Sequence, residues 1–463
     1  MNWKSNFKSL GELHEAALEQ KSPLESSDDL SVLLEPVQMG RATIPNSLAV
    51  HPMEGCDGER DGSLGELTSR RYDRFASGGC GLLWVEATAV VHEGRANPRQ
   101  LWLHEGNLES YKKLVARMRQ KAWEGMGRDF NPYIVLQLTH SGRYSKPDHE
   151  IKPVIMRRDP YRDPMQPEAV PSTNRPSRIV TDGHIISDDA LDKLQESSVH
   201  VAMLAQEAGF DAVDIKACHG YLISEMLSSH ERKGRYGGAF EHRTRFLLEV
   251  IDGINAKKAK HFGITTRLGF YDAIPWPHGW GVDRHDYQKP DLNEPIQLAR
   301  HLAARGVGMI NFTMASPYYN PHIGRPFAKP IRGAYDEPEH PVKGVHRMIN
   351  VCAEVQKALP DMAMVGTGYS WLREYMPQVM AGVKKAGKAK LFGSGRMAFA
   401  YPDFARDIME HGQLSKTKVC IACSGCTQIM RDGNTTGCTV RDKEIYATIL
   451  QYGLAMEKQN ACR

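Results

Sequence analysis

At 463 residues with 41% hydrophobic content, the chain can bury one large core or two modest ones, which removes disordered and fibrous readings. Its 59 basic and 55 acidic side chains leave a formal net charge of +4, too small a field to recommend a nucleic-acid partner. Met1 to Leu30 is polar without a signal-peptide core, and no later run approaches the ~18 apolar residues a membrane helix requires, so a cytoplasmic protein with no membrane partner is expected.

In chain order, residues 1–33 read as an appended helix or arm. Eight short apolar or β-branched runs follow, separated by longer helical patterns: Ser47 to Met53, Gly81 to Thr88, Tyr133 to Leu138, Ala212 to Lys216, Gly263 to Leu268, Met309 to Thr313, Ala363 to Gly368 and Lys390 to Gly395. Ser187-Asp188-Asp189 heads a stretch with apolar residues at Leu191, Leu194, Val199, Val201 and Leu204, the pattern of an N-cap followed by a buried helical stripe. Phe240 to Ile254 reads similarly. The Pro- and Arg-rich stretch from Lys146 to Ile186 has neither periodicity and reads as a long excursion of the kind that covers an active site. Strands alternating with helices fit a closed (β/α)8 TIM barrel of class α/β; a doubly wound sheet alternates in the same way.

Polar residues at the ends of these runs favour the barrel, because a barrel places its chemistry at the C-terminal ends of several strands. Gln137 ends the third run and precedes Thr139-His140-Ser141-Gly142-Arg143. Lys216 ends the fourth and leads into Cys218-His219-Gly220-Tyr221, and Arg267 interrupts an otherwise apolar fifth. The last two end in Gly366-Thr367-Gly368 and Gly393-Ser394-Gly395-Arg396, where glycines allow backbone N–H groups to approach an anion and an arginine adds a charge partner.

Residues His219 to Ile254 (HGYLISEMLSSHERKGRYGGAFEHRTRFLLEVIDGI) resemble the old yellow enzyme family of NADH:flavin oxidoreductases. The resemblance extends from about Leu34 to about Phe404 through His51 to Glu54, Gln137 to Arg143, Arg267 and Gly393 to Phe404. It implies an FMN-binding barrel over residues 34–408, with NADH or NADPH as electron donor. Carried over, Pro52, Met53 and Glu54 would lie along the flavin edge, Ala87 behind the ring, and Gln137 against the pyrimidine edge. Arg267 would sit near N1, where a fixed cation stabilises the reduced flavin. Gly366, Gly368, Gly395 and Arg396 would take the phosphate. The family's substrate-holding pair is usually a His followed three residues later by His or Asn, with a proton-donating Tyr two residues beyond. Here His219 and Tyr221 are kept and Lys216 replaces the first His. Lys216 could polarise a substrate oxygen or bind a carboxylate; the competing reading pairs it with Glu54, where the family usually has a small residue.

Nine cysteines are present; Cys56, Cys80, Cys218, Cys352 and Cys462 are scattered, whereas Cys420, Cys423 and Cys426 recur every third residue, followed by Cys438. Three cysteines at this spacing plus a remote fourth suit the corners of a [4Fe-4S] cluster, while structural zinc usually takes paired hooks or mixed ligands. The spacing resembles the iron-sulfur branch of the same family, which includes 2,4-dienoyl-CoA reductase and trimethylamine dehydrogenase, and marks 409–463 as a cluster segment. Those relatives continue into a second dinucleotide-binding half that these residues lack, so a soluble electron-transfer partner is expected if the cluster carries electrons. The expected function is reduction of an activated C=C bond in a small-molecule substrate, driven by NAD(P)H or by a ferredoxin-type donor through the cluster, with Tyr221 as proton donor and His219 and Lys216 polarising the substrate. Oxidative amine dehydrogenation or demethylation, and a non-catalytic flavin and iron-sulfur electron carrier, are the alternatives. A homo-oligomer stays open.

Overall fold

The computed structural model describes residues 6–39, 42–148, 150–163, 180–332 and 334–461, the last six by backbone alone. β1 (Val37–Met39) and β2 (Ala42–Ile44) pair antiparallel. The next eight strands are β3 (Leu48–Val50), β4 (Leu82–Ala89), β5 (Tyr133–Thr139), β6 (Ala212–Ile215), β7 (Gly263–Gly269), β8 (Met309–Thr313), β9 (Ala363–Gly366) and β10 (Leu391–Ser394). They form a closed parallel barrel in sequence order, with β10 returning to β3 through Phe392 opposite Leu48 and Ser394 opposite Val50. Closure decides between the two alternating architectures in favour of the barrel. Each of the eight apolar runs overlaps one barrel strand, β4, β5 and β7 continuing one residue beyond it, because strands covered on both faces must be apolar nearly throughout. β4 carries an irregularity against β5 between Val85 and Thr88, which leaves Glu86 and Ala87 out of register.

Helices cover the outside. Helix Asp188–Glu207 starts where the Ser187 hydroxyl accepts the Ala190 N–H at 3.2 Å, and it buries Leu191, Leu194, Val199, Val201 and Leu204. Helix Phe240–Lys257 buries Phe246, Leu247, Val250, Ile251 and Ile254 in the same periodic manner. The N-terminal helix Leu10–Glu19 buries Leu13 and Ala17, and Phe7 ahead of it meets Trp371 edge-on with ring centroids 5.9 Å apart.

The β1–β2 hairpin, absent from the sequence reading, packs Val37, Met39, Ala42 and Ile44 against Ala49, Leu82, Trp84, Tyr133, Val135, Met309 and Leu391. These contacts plug the end of the barrel where the strands begin. The excursion after β5 is irregular where described, and its expected residues 164–179 lie outside the described ones. Arg157 Nε donates to the Ser228 carbonyl at 3.2 Å and Arg162 to the His278 carbonyl at 3.1 Å, which anchors the excursion beside the loops after β6 and β7. Among the described residues no helix is long and apolar enough to cross a membrane.

Candidate active site at the barrel mouth

One cavity lies at the strand ends opposite the hairpin. Its walls are Pro52, Met53 and Glu54 after β3, Gln137 from β5, Lys216, His219 and Tyr221 after β6, and Arg267 from β7. Met314, Ser316, Pro317 and Tyr318 after β8, Gly368, Gly393, Gly395 and Arg396 near β9 and β10, and Arg325, Cys426 and Arg431 also line it. All three expected catalytic residues thus face one space, as do most of the expected cofactor residues. Ala87 and Gly366 are not among the walls: the Ala87 carbonyl accepts from Gln100 Nε2 at 2.9 Å, and a Cβ on Gly366 would lie 2.7 Å from the Tyr369 hydroxyl.

The glycines have a steric reason. A Cβ at Gly393 would lie 2.0 Å from His51 Cε1, and one at Gly395 would lie 2.6 Å from Met53 Sδ. Gly368 holds φ +97, a conformation side chains resist. Bare backbone therefore lines this corner next to Arg396.

Positive charge is in excess. Arg267, Arg396 and Arg431, all buried, and half-buried Arg325 line the cavity, and among the described residues none has a carboxylate within 4.0 Å. Nε of Arg267, Arg325 and Arg431 and one terminal nitrogen of Arg396 have no hydrogen-bond partner there. Burial, reinforced by Arg396, pulls Arg325 down to about 9, and burial also lowers Arg267. Buried cations without partners are costly, so the arrangement calls for an anionic occupant. Arg396 beside Gly395 would suit a phosphate, and Gln137 and Arg267 offer further donors in the same cavity.

The β6 loop turns sharply. His219 and Gly220 both take left-handed backbone, at φ +66 and +72, which aims His219 back at β8, where Nε2 lies 3.0 Å from Thr313 Oγ1. Burial, then the charges of Arg267 and Lys216, hold this imidazole well below its ordinary range, so it is neutral at pH 7. Lys216 Nζ lies 3.3 Å from Glu54 Oε1 and 3.7 Å from the centre of the Tyr221 ring. The ion pair weighed from sequence is thus formed. The Tyr221 hydroxyl reaches Glu54 Oε1 at 3.3 Å and the Tyr318 hydroxyl at 3.1 Å. Burial, Glu54 and Tyr318 push Tyr221 well above the usual phenol range, so it keeps its proton. Glu54 itself is fixed through its neighbour: Gly55 N–H donates to Glu86 Oε2 at 2.8 Å, and Glu86 and Asp57 each pair with buried Arg71 at 2.5 Å.

Cys420, Cys423, Cys426 and Cys438 surround a second, smaller cavity with Phe399, Ile421 and Val440, and Cys426 also lines the first. Ala422 and Ser424 adopt left-handed backbone at φ +52 and +59, which wraps the loop around the sulfurs. N–H groups of Ala422 and Arg441 point at Cys420 Sγ and Cys438 Sγ, at 3.4 and 3.3 Å. The segment is tied to the loop after β3 by Thr436 N–H to the Gly55 carbonyl at 2.7 Å.

Four residues escaped the sequence reading. Tyr318 follows β8 in a loop that carried no recognised motif. Tyr144 stacks on it with centroids 3.8 Å apart. Arg325 donates to Thr427 Oγ1 at 2.9 Å, and Arg431 lies with its guanidinium carbon 3.7 Å over the Tyr318 ring. A strand-end position was the available signal for Tyr318; nothing local marks Arg431.

Residues 32–287 match the model of the NADH:flavin oxidoreductase / NADH oxidase family. An NADPH dehydrogenase from Geobacillus sp. (strain WCH70) is 33% identical over 315 residues, covering 65% of this chain and 80% of that protein. Among solved structures, 2-naphthoyl-CoA reductase in complex with 2-naphthoyl-CoA superposes with a TM-score of 0.71 at 18% identity, over 91% of this chain and 58% of that one. Histamine dehydrogenase from Rhizobium sp. 4-9 gives 0.64 at 18%, over 89% and 53%. The chain therefore spans little more than half the length of these two structures, which share its fold.

Proposed function

Because this chain belongs to the NADH:flavin oxidoreductase / NADH oxidase family and is a flavin-dependent oxidoreductase, we propose that it reduces an activated C=C bond with electrons from NADPH or NADH. The observation that carries the reading is the Tyr221 hydroxyl, protonated, facing the cavity and 3.1 Å from a second phenol, Tyr318. Bound FMN supplies hydride transfer between nucleotide and substrate. The protein's part is to bind, orient and move protons. Arg396, Gly368 and Gly395, with Gly366 behind them, would hold the phosphate; Gln137 and Arg267 would hold the ring, with Pro52, Met53 and Glu54 along its edge and Ala87 behind the wall.

Neutral His219, oriented by Thr313, would donate a hydrogen bond to the activating oxygen of the substrate. Lys216 would add positive charge from a position fixed by Glu54. Tyr221 would deliver the α-proton and recover it through Tyr318.

We further propose that 409–463 holds a [4Fe-4S] cluster on Cys420, Cys423, Cys426 and Cys438, with 34–408 as the flavin unit and 1–33 as an arm. Backbone N–H groups directed at two of the sulfurs suit thiolate ligands. Among the described residues no three of these sulfurs come within 4.8 Å of one another, whereas tetrahedral zinc would hold them about 3.8 Å apart. Cys426, shared by both cavities, also gives the oxidative alternative its specific support, since electrons from an amine could leave beside it.

Tyr221→Phe tests the reading. Anaerobic stopped-flow should show flavin reduction by NADPH close to wild type and alkene-dependent reoxidation slowed by roughly 10²- to 10⁴-fold. Bleaching of oxidised flavin by amines, with no reoxidation by any alkene, would replace it with the oxidative reading. Iron analysis of Cys423→Ala, with flavin retained and iron lost, tests the cluster.

A further inference from the structure

Charge at the barrel mouth does not balance around a flavin alone. Arg396 and Arg325 flank the corner suited to a phosphate, Arg267 stands at the ring end of the slot, and Lys216 is paired with Glu54 at 3.3 Å. Arg431 remains. It is 6% exposed, lines the cavity, leaves Nε without a partner and anchors a terminal nitrogen on the Pro317 carbonyl at 2.7 Å. Its guanidinium lies over Tyr318, whose hydroxyl meets that of Tyr221. It therefore stands beside the proton donor's phenol partner, and its charge also bears on Arg325.

The two phenol rings carry a second message. Lys216 Nζ stands 3.7 Å from the centre of the Tyr221 ring, and Arg431 stands at the same distance from that of Tyr318. Aromatic faces that would attract an organic ammonium ion already hold the protein's own cations, which repel another.

We propose that Arg431 binds the carboxylate of an anionic substrate that carries the reducible alkene, and that Lys216 and Arg431 together exclude organic ammonium ions. The word alkene rests on the reading above; the anionic group rests on Arg431. The cation on the helix Gly425–Arg431 thus reaches from the cysteine segment into the substrate mouth.

The test uses binding, read from the visible spectrum of the oxidised flavoprotein titrated with three probes of similar shape: trans-cinnamate, trans-cinnamamide and cinnamyltrimethylammonium. Wild type should bind cinnamate at least about 10-fold more tightly than the amide, and the ammonium ion most weakly. Arg431→Met should bring cinnamate to within about 2-fold of the amide and leave the amide unchanged, while Arg431→Lys retains part of the preference. Flavin stoichiometry reports whether each variant is folded. Equal affinity for cinnamate and amide in wild type, ammonium binding as tight as cinnamate, or an undiminished preference in Arg431→Met would overturn the proposal. Cinnamate that binds as expected, with no reoxidation of reduced flavin by any anionic or neutral alkene, would sink the alkene reading and leave the anion site standing.

Discussion

The two ends of the barrel are made by the same eight strands and are built on opposite terms. At the end where the strands begin, the hairpin lays Ile44 and its neighbours on Leu82, Trp84 and Leu391, and apolar contact does the closing. At the end where they finish, the walls are four arginines without carboxylate partners, two consecutive left-handed residues at 219 and 220, and glycines whose Cβ atoms would collide with the opposite loop. One end contributes stability; the other spends it on preorganisation.

That contrast can be broken experimentally. Leu82→Ala, fully buried under the hairpin, should lower stability by roughly 2–5 kcal/mol in urea unfolding while the flavin dissociation constant stays put. A loss of flavin affinity would show that the ends are coupled. At the mouth, Lys216→Met leaves Glu54 in place without its partner and should cost roughly 2–3 kcal/mol, of which Lys216→Met/Glu54→Gln recovers at least half. A double variant as damaged as the single would mean that Lys216 matters through packing on Tyr221. Arg267→Met should go the other way: apoprotein gains on the order of 1–2 kcal/mol, since a buried cation without a carboxylate is removed, while FMN affinity drops. Destabilised apoprotein would show that the mouth is not under strain.

Acid sharpens the comparison last. Burial holds His51 and His219 well below the ordinary imidazole range and His140 down to about 4. The unfolded chain takes up these protons near pH ~6.5 and the folded chain does not, so stability is complete above that pH and falls below it. His140→Gln should flatten the decline of urea midpoints between pH 6.5 and 5 by up to ~1.4 kcal/mol per pH unit. An unchanged slope would place the proton uptake elsewhere.

Much of this was readable in the chain and some was not. The barrel strands announce themselves because runs such as Ile134 to Leu136 are apolar throughout, and Ser187 marks its helix by a cap that needs no distant partner. The hairpin hides because three-residue strands such as Val37–Met39 carry too few positions for a period. Within the site, residues on strand ends were found together with their neighbours in the chain. Arg325 follows a short turn after β8 that no motif marks, and Arg431 reaches the mouth only because the cysteine segment docks, through contacts such as Thr436 on Gly55; no local pattern encodes docking. Lys216 was visible and its partner guessable, but whether the pair with Glu54 forms depended on a distance across 162 positions of sequence.

The helix Gly425–Arg431 carries Cys426 near its start and Arg431 at its end. Five residues at ~1.5 Å each separate a wall shared by two cavities from the cation above Tyr318, about 7.5 Å along one rigid rod. Phase as well as distance is then locked. Inserting or deleting a single residue between them would swing Arg431 by ~100° around the axis, off the Tyr318 ring, while Cys426 stayed where it was. Anyone grafting this cysteine loop onto another barrel, or trimming it, moves the substrate mouth with it.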